Sequence, residues 1–218
     1  MAFVVTVDGP AGAGKSTVAR RVAKHVGIRY LDTGALYRAI AYYLDKKNIP
    51  AEENEDLSRA VALINVRLDN GAVFVNDENV TESIRSTRVD GVVSSYAALR
   101  TVRDSLLDMQ QSQANYGDLI VDGRDTGTVV FPKADVKFFL TASAEARAER
   151  RYRELLKKGE AVVYKEILAR IHERDRSDRN REIAPLREPK GAIHVDTSQM
   201  SEDEVVNELS FIVRRAMD

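Results

Sequence analysis

The stretch GPAGAGKS at residues 9–16 constrains the fold of this chain more than any other feature. It follows the run FVVTV at residues 3–7, which is rich in β-branched residues and predicts a strand buried on both faces. It precedes a segment in which valines at 18, 22 and 26 recur every fourth residue, which predicts an amphipathic helix that ends at Gly27. A loop of the pattern GxxxxGK[ST] between a buried strand and a helix is typical of a phosphate-binding loop. We therefore expect the chain to bind the phosphates of a nucleotide.

Each part of this loop has a physical task. Glycines let backbone N–H groups converge on phosphate oxygens, and the helix that follows adds the partial positive charge of its N-terminus. We expect Lys15 to reach the outer phosphates and the Ser16 hydroxyl to join the ligands of Mg²⁺. Asp122 ends the apolar run LIVD and is the second expected metal ligand, while Asp8 is an alternative that the sequence does not rank against it. The predicted ATP-binding residues are Gly9, Pro10, Ala11, Gly12, Ala13, Gly14, Lys15, Ser16 and Thr17.

Four further apolar runs predict buried strands, and helical patterns separate most of them. These runs lie at residues 28–31, 119–121, 136–140 and 193–195. The alternation of strands and helices predicts an α/β fold with a mainly parallel sheet of five strands. The last helix is expected to begin with a capping box formed by Ser201 and Glu204.

One segment departs from this alternation. Apolar residues alternate on both sides of Asn70 and Gly71, which predicts a β-hairpin inserted into the α/β frame. Folding about that turn places Leu68 opposite Val73, and by the same register it places residue 66 opposite residue 75. The polar segment at residues 45–58 is expected to be the joint that leads into the insert.

Composition restricts the partners of the chain. The 218 residues carry a formal net charge of −1, which disfavours a general nucleic-acid-binding role. The sequence contains no cysteine, so disulfides and thiolate chemistry are excluded. The apolar run at 3–7 has no basic leader before it and is too short for a signal peptide or a membrane span. We therefore expect a cytoplasmic protein without a membrane partner.

The segment HERDRSDRNR at residues 172–181 combines arginines with acidic residues. Positions 167, 171, 174, 178 and 181 step by four and three, so they are expected to share one helical face. This face begins with isoleucines and continues as Arg174, Asp178 and Arg181. A solvated helix face is one alternative, but the apolar stripe favours an arginine-rich lid that closes over bound phosphates. A nucleic-acid-binding tail would lack the interleaved acids.

Two loops are expected to contribute a second phosphate site. Thr33 and Arg38 lie in LDTGALYR after a predicted strand, and Arg124 and Asp125 lie in DGRDTGTVV just beyond another. Ligands of open α/β sheets bind beyond the carboxyl ends of the strands, so the two arginines are expected to converge there. An exposed helix arginine remains the alternative for Arg38.

Several of these segments together resemble the bacterial-type cytidylate kinases, which are CMP/dCMP kinases of the nucleoside monophosphate kinase family. They are TVDGPAGAGKST, YLDTGALYR, the hairpin insert, VDGRDTGTVVFP and ERDRSDRNREIAPL, and the resemblance extends over nearly all 218 residues. It implies a three-layer phosphate-loop kinase fold with a mainly parallel five-stranded sheet, an inserted NMP-binding subdomain containing the β-hairpin, and a short helical lid. The implied core comprises residues 1–31, 104–145 and 183–218, the NMP-binding region residues 32–103, and the lid residues 146–182.

The resemblance also implies an activity. This is the Mg²⁺-assisted, in-line transfer of the γ-phosphate of ATP to CMP or dCMP by a monomer whose partners are small-molecule nucleotides. A UMP- or AMP-directed kinase on the same scaffold is the nearest alternative, and a nucleotide-regulated binding module is a more distant one. Rapid release of ADP that depends on CMP would separate these functions.

Site residues follow by position in the resembling segments. The implied CMP-binding residues are Thr33, Tyr37, Arg38, Ser94, Arg103, Arg124, Asp125, Asp178 and Arg181. The implied catalytic residues are Lys15, Arg124, Arg150, Arg174 and Arg181. Within the first set, Ser94, Arg103 and Asp125 are implied to recognise cytosine, and the adjacent Ser95 takes the place of Ser94 if the register differs by one residue.

Overall fold

The computed structural model describes residues 2–69 and 71–218. In chain order, the strands are β1 (Val4–Asp8), β2 (Arg29–Asp32), β3 (Val66–Asp69), β4 (Ala72–Val75), β5 (Glu78–Asn79), β6 (Leu119–Gly123), β7 (Val136–Thr141) and β8 (Ile193–Asp196). The helices are α1 (Lys15–Val26), α2 (Thr33–Lys46), α3 (Glu55–Ala62), α4 (Thr87–Ala97), α5 (Arg100–Ser112), α6 (Ala144–Lys157), α7 (Tyr164–Asn180) and α8 (Glu202–Met217). The chain divides into two units, a larger one of residues up to 31 and from 113 to 218, and a smaller one, Asp32–Ser112.

The larger unit is built on a five-stranded sheet in the order β2-β6-β1-β7-β8. β1 pairs in parallel with both β6 and β7, and β7 pairs in parallel with β8. The α/β fold with a mainly parallel five-stranded sheet is therefore confirmed. Because β1 is the middle strand of this sheet, it brings the start of the phosphate loop to the middle of the sheet edge.

Apolar side chains of the sheet and of two helices form the main core of the larger unit. Val5 and Phe138 of the sheet pack in one cluster with Val22 of α1 and Leu209 of α8, and all four are fully buried. Each such side chain contributes about 1.5–3 kcal/mol by leaving water. The capping box expected for α8 is present, since Ser201 and Glu204 exchange side-chain and backbone hydrogen bonds. Among the described residues, no helix combines the length and the apolar content that crossing a bilayer requires.

The smaller unit contains the inserted hairpin. In the antiparallel pair of β3 and β4, Leu68 lies opposite Val73 and Val66 lies opposite Val75, so the predicted register is confirmed. Asn70, at the predicted turn, lies outside the described residues. The insert also has a third strand, β5, which pairs with β4 and was not expected. The apolar side of the sheet packs against Ala35 and Ala39 of α2 and against other apolar side chains of this unit.

The prediction of one polar joint at residues 45–58 is wrong at both ends. α2 continues to Lys46, and α3 begins at Glu55. Asn54 caps α3, because its side-chain oxygen accepts a 2.8 Å hydrogen bond from the N–H of Leu57. Leu57 is fully buried, so part of this polar segment packs as a helix.

The predicted helical face of residues 167–181 is correct except at its last position. α7 ends at Asn180, and Arg181 has extended backbone angles (φ −60°, ψ 141°). The chain turns away because the N–H of Leu186 hydrogen bonds to the carbonyl oxygen of Asp178 at 2.7 Å. The side chains of Asp178 and Arg181 are nevertheless only 7% and 6% exposed, so this face is not a solvated one.

Candidate active site

The loop at residues 9–14 connects β1 to α1, whose first residue is Lys15. Gly14, the residue before the helix, has φ +85°, and no described side chain caps this end of α1. The first turn of α1 contains no acidic residue. Uncapped N–H groups and the positive end of the helix dipole therefore make this position suitable for a phosphate group.

Gly9 determines where the loop leaves the sheet. It has φ +147°, and a Cβ atom at this position would lie 1.9 Å from the carbonyl oxygen of Leu140 in β7. No side chain fits at that distance, and the backbone angle itself is unfavourable for other residues. The first glycine of the motif is therefore required by the close approach of β7.

Lys15 lies behind the loop with only 5% of its surface exposed. Its Nζ donates a 2.8 Å hydrogen bond to the carbonyl oxygen of Pro10. Burial lowers the pKa of Lys15 well below its usual value, and the positive charge of Arg124 lowers it further. The carboxylates of Asp122 and Asp178 oppose this shift without cancelling it. A bound phosphate would favour the charged amine, because it adds negative charge where the amine lacks water.

Asp122, in β6, accepts hydrogen bonds from two hydroxyl groups. Ser16 Oγ donates to its Oδ2 at 2.7 Å, and the Tyr30 hydroxyl donates to its Oδ1 at 2.8 Å. A serine oxygen beside a carboxylate is the kind of oxygen ligand pair that Mg²⁺ uses when it is also bound to water and phosphate. The residues present therefore fit the expected metal.

Asp8, the alternative metal ligand, is occupied by hydrogen bonds from the protein. Its Oδ1 accepts 2.8 Å hydrogen bonds from both the N–H and the hydroxyl of Thr126, and its Oδ2 accepts one of 2.7 Å from the N–H of Gly127. Burial raises the pKa of Asp8, although these three hydrogen bonds oppose the rise. Asp8 thus fastens the end of β1 to the π-helical turn Thr126–Val130. Of the two carboxylates, Asp122 is better placed to bind a metal.

Arginines and carboxylates from two segments meet in the larger unit. Arg124 Nε donates to Asp178 Oδ2 at 2.9 Å, and Arg181 Nη2 donates to Asp125 Oδ1 at 3.1 Å. The structure therefore brings together four of the predicted site residues, two that follow β6 and two at the end of α7. The cluster has the paired geometry of groups that are held in place before a ligand arrives.

Several guanidinium groups of this cluster act on one carboxylate. Burial alone would raise the pKa of Asp178, but the guanidinium groups of Arg124, Arg174 and Arg181 outweigh it and hold that pKa below its usual value. Arg124, Arg174 and Arg181 thus all act on the Asp178 carboxylate. A group of guanidinium charges of this kind favours an additional anion.

Arg150 is held at the end of β8. Its Nη1 donates to Thr197 Oγ1 at 3.2 Å, and its Nη2 donates to the Thr197 carbonyl oxygen. The Thr197 hydroxyl in turn lies 3.4 Å from the carbonyl oxygen of Ala13 in the phosphate loop. The contacts of Arg150 therefore lead to the loop through Thr197, whereas Arg174 contributes to the cluster around Asp178.

Two of the predicted residues of the smaller unit, Thr33 and Arg38, lie in α2. Thr33 is buried at the start of α2, where Asp32 is the capping residue. Arg38 Nη1 donates to the Ile84 carbonyl oxygen at 3.1 Å, and its Nη2 forms a short hydrogen bond with Asp90 of α4. Arg38 is thus a partly buried arginine that is held by a carboxylate, and the exposed alternative is wrong.

The other predicted residues of the smaller unit lie on α2, α4 and α5. The Arg103 guanidinium lies 5.4 Å from the centre of the Tyr37 ring, and its Nη1 donates to the Ala97 carbonyl oxygen at 3.1 Å. Both Tyr37 and Arg103 are buried. Ser94 is half-buried on α4, while Ser95 is exposed. The structure therefore brings Tyr37 and Arg103 together. Of the two serines, Ser95 is more exposed than Ser94.

Comparison with known proteins identifies the family. A family model described as cytidylate kinase matches residues 5–215 of this chain. The chain belongs to the cytidylate kinase family. The cytidylate kinase of Clostridium tetani is 45% identical over 213 residues, which cover 98% of this chain and 94% of that protein. The cytidylate kinase of Thermosipho africanus is 46% identical over 209 residues, which cover 96% of this chain and 93% of that protein.

These matches confirm the cytidylate kinase resemblance that the motifs indicated, and they do not favour the UMP- and AMP-directed alternatives. A solved structure of an uncharacterized protein from Eubacterium ventriosum is similar with a TM-score of 0.54 and 11% identity, and the match covers 97% of this chain and 98% of that chain. At that identity the likeness concerns the fold alone.

Two residues of this member of the family lie at the site without a sequence prediction. Tyr30 contacts Asp122, and the buried Arg147 donates a hydrogen bond to the Ala11 carbonyl oxygen in the phosphate loop. Arg147 offered no clear signal, because the neighbouring Ala148 lies one position along α6 and adjacent helical residues do not share a face. For Tyr30 the sequence offered none, because a tyrosine in a strand is ordinary.

Proposed function

We propose that this chain transfers the γ-phosphate of ATP to CMP or dCMP, giving ADP and CDP or dCDP. The buried amine of Lys15, at an uncapped helix start and near the Arg124 charge, carries this proposal, because a phosphate anion bound there would favour the charged form of the amine. Membership of the cytidylate kinase family supports cytidine nucleotides as the acceptor.

On the donor side, the loop at residues 9–14 binds the ATP phosphates with backbone N–H groups, and Lys15 reaches the outer ones. Ser16 and Asp122 would hold Mg²⁺, which would supply positive charge beside the ATP phosphates. The Tyr30 hydrogen bond keeps the Asp122 carboxylate turned toward Ser16.

On the acceptor side, arginines bind the phosphate of CMP and a buried polar group recognises the base. The proposed CMP-binding residues are Thr33, Tyr37, Arg38, Ser94, Arg103, Arg124, Asp125, Asp178 and Arg181. The contacts described above support this set, since Asp90 already holds Arg38 and Asp178 already holds Arg124. Arginines that are fixed in this way lose little freedom when the phosphate binds.

The transfer step requires no general base from the protein. The attacking oxygen belongs to a phosphate whose second pKa is about 6, so it is ionised at neutral pH. The main obstacle is repulsion, which is about 4 kcal/mol for two unit charges 4 Å apart at an effective dielectric constant of 20. Positive charge opposes this repulsion and stabilises the transferring group, and the proposed catalytic residues are Lys15, Arg124, Arg150, Arg174 and Arg181.

We propose that residues 146–182 act as the lid, residues 32–103 as the NMP-binding region, and the remaining residues as the core. Closure of the lid would exclude water, which otherwise competes for the phosphoryl group. We also propose that the chain acts as a cytoplasmic monomer on small-molecule nucleotides, without a membrane partner. The net charge of −1 supports the absence of a nucleic-acid partner.

Initial rates of ADP release test the function. With ATP and Mg²⁺ present, we expect rapid release with CMP or dCMP and much slower release with UMP or AMP. Omission of the acceptor should reduce the rate to that of slow hydrolysis. A wild-type protein that binds ATP but releases ADP equally slowly with every monophosphate would refute the kinase function.

A further inference from the structure

Arg147 of α6 is anchored more extensively than an exposed lid arginine. It is 3% exposed, and four of its five guanidinium N–H groups donate hydrogen bonds to protein oxygens. Its Nε donates to the carbonyl oxygen of Ala142, the residue after β7, at 3.0 Å. Its Nη1 donates to the carbonyl oxygen of Ala11 in the phosphate loop, also at 3.0 Å. The side chain therefore connects the sheet edge to the loop.

The two terminal nitrogens of the guanidinium also bind Asp175 of α7. Arg147 Nη1 lies 2.9 Å from Asp175 Oδ1, and Nη2 lies 2.6 Å from Oδ2. This fork fixes the plane of the guanidinium and neutralises its charge. Asp175 directly follows Arg174 and precedes Asp178 by one helical turn, so the pair also fixes the part of α7 that carries these two site residues.

The loop itself is shaped to fit the stem of Arg147. Gly12 has φ +77°, and a Cβ atom there would lie 3.3 Å from the Cβ of Arg147. A loop that gathers phosphate oxygens with its N–H groups must direct carbonyl groups the other way, and Arg147 binds one of these carbonyl groups, that of Ala11. Arg147 thus supports the loop from the side opposite the expected phosphates.

We propose that Arg147 and Asp175 form a positioning pair that holds the phosphate loop in its nucleotide-binding shape and fixes α7 relative to that loop. This inference rests on the proposed function. The pair acts through geometry, because the Arg147 charge is already neutralised by Asp175. If Arg147 instead gripped the phosphates directly, with Asp175 restraining it, removal of the Asp175 charge would strengthen nucleotide binding.

The variant Asp175→Asn separates these two roles. It is isosteric but removes one side of the fork, and Arg147→Lys keeps the positive charge but removes the fork entirely. We expect each variant to weaken binding of a fluorescent ADP analogue, titrated without CMP, by about tenfold, and to lower kcat with saturating ATP and CMP by about 10- to 100-fold. The double variant should be no weaker than the poorer single variant. Amide hydrogen exchange at residues 9–14 should become faster, while that of α8 should not change.

Controls separate positioning from folding and from the kinase function. Arg21→Gln removes two exposed ion pairs of the same unit, with Glu202 and Asp203, and should leave ADP binding and kcat unchanged. All titrations are run well below the unfolding temperature of each variant, which thermal unfolding measures. Unchanged or tighter ADP binding in Asp175→Asn, or loop exchange that does not change, would overturn the positioning role. Absence of CMP-dependent turnover in the wild type would overturn the kinase function instead, and ADP binding would still test the pair.

Discussion

Ser16 and Asp122 join the first turn of α1 to the carboxyl end of β6 through a hydrogen bond of 2.7 Å. We expect Asp122→Asn to lower kcat and to raise the Mg²⁺ concentration needed for half-maximal activity, each by about 10- to 100-fold, because the amide binds the cation more weakly than the carboxylate does. Initial rates at increasing Mg²⁺ concentration provide the measurement. An unaltered Mg²⁺ dependence would remove Asp122 from the metal site.

The contrasting carboxylate is Asp8, and its replacement should affect folding. Asp8→Asn replaces one of the two acceptor oxygens with an amide NH₂ group, which then faces a donor group of Thr126 or Gly127 instead of accepting from it. We expect the free energy of unfolding to fall by about 3 kcal/mol, as urea denaturation would measure. Asp122→Asn is the matched control and should change it by less than about 1 kcal/mol. Equal destabilisation by the two changes would contradict the distinction between brace and metal ligand.

Lys15→Met should separate activity from stability. We expect kcat to fall by roughly 10³-fold or more, because the outer phosphates lose their cation. The free energy of unfolding of the protein without nucleotide should stay the same or rise, since a buried amine whose pKa is lowered by burial favours the unfolded state. Coupled ADP assays and urea denaturation on the same preparation measure both effects. Near-normal turnover would show that Lys15 takes no part in the transfer.

Arg103→Met should mainly alter the choice of base. Methionine keeps apolar volume beside Tyr37 but lacks the guanidinium group. We expect the ratio of kcat/KM for CMP to that for UMP to fall by about tenfold or more, because a buried polar contact to the base is lost. Arg100→Met, at the exposed first residue of the same helix, is the control and should preserve the ratio. Retention of the CMP preference in Arg103→Met would show that other residues recognise cytosine.

Asp178 should confer a specific pH dependence on stability. Its pKa in the folded protein is held below the ordinary value of 3.8 by Arg124, Arg174 and Arg181 despite burial. The ionised carboxylate therefore stabilises the fold at pH above 3.8, and this contribution is lost as the pH falls from 3.8 through the lowered pKa.

Asp178→Asn tests this dependence. We expect it to reduce the free energy of unfolding by about 3 kcal/mol at neutral pH, because three guanidinium groups lose a buried partner. The difference from the wild type should narrow as the pH falls below 3.8, as urea midpoints at successive pH values would measure. A difference independent of pH would mean that the carboxylate charge does not stabilise the cluster.

Much of the fold could be predicted from local sequence patterns, because the elements concerned are formed by residues that are close together in sequence. The pairing of Leu68 with Val73 could be predicted because alternating side chains and a two-residue turn leave one register. The phosphate loop could be predicted because its glycines and Lys15 are consecutive in sequence. The cap at Asn54 could also be predicted locally, but the polar composition of residues 45–58 favours a joint over a helix.

The remaining features depend on contacts between distant segments, which periodicity does not encode. The periodicity of the sequence predicts that α7 includes Arg181. In the structure the N–H of Leu186 hydrogen bonds to the carbonyl oxygen of Asp178, and the helix ends earlier. Asp8 is a poorer candidate metal ligand than Asp122 because hydrogen-bond donors more than a hundred residues away in sequence occupy its carboxylate. The burial of Arg147 depends on Asp175 and Ala11, which belong to other elements.

The contact between Gly9 and Leu140 has a consequence for mutational surveys of this chain. Any larger residue at position 9 must move the backbone of β1 away from that of β7, so the damage occurs while the sheet assembles, before ATP is encountered. A survey that scores soluble protein would therefore report position 9 as intolerant even in cells that are supplied with the product nucleotide. At position 9, a glycine is therefore required by the spacing of the strands as well as by the shape of the phosphate loop.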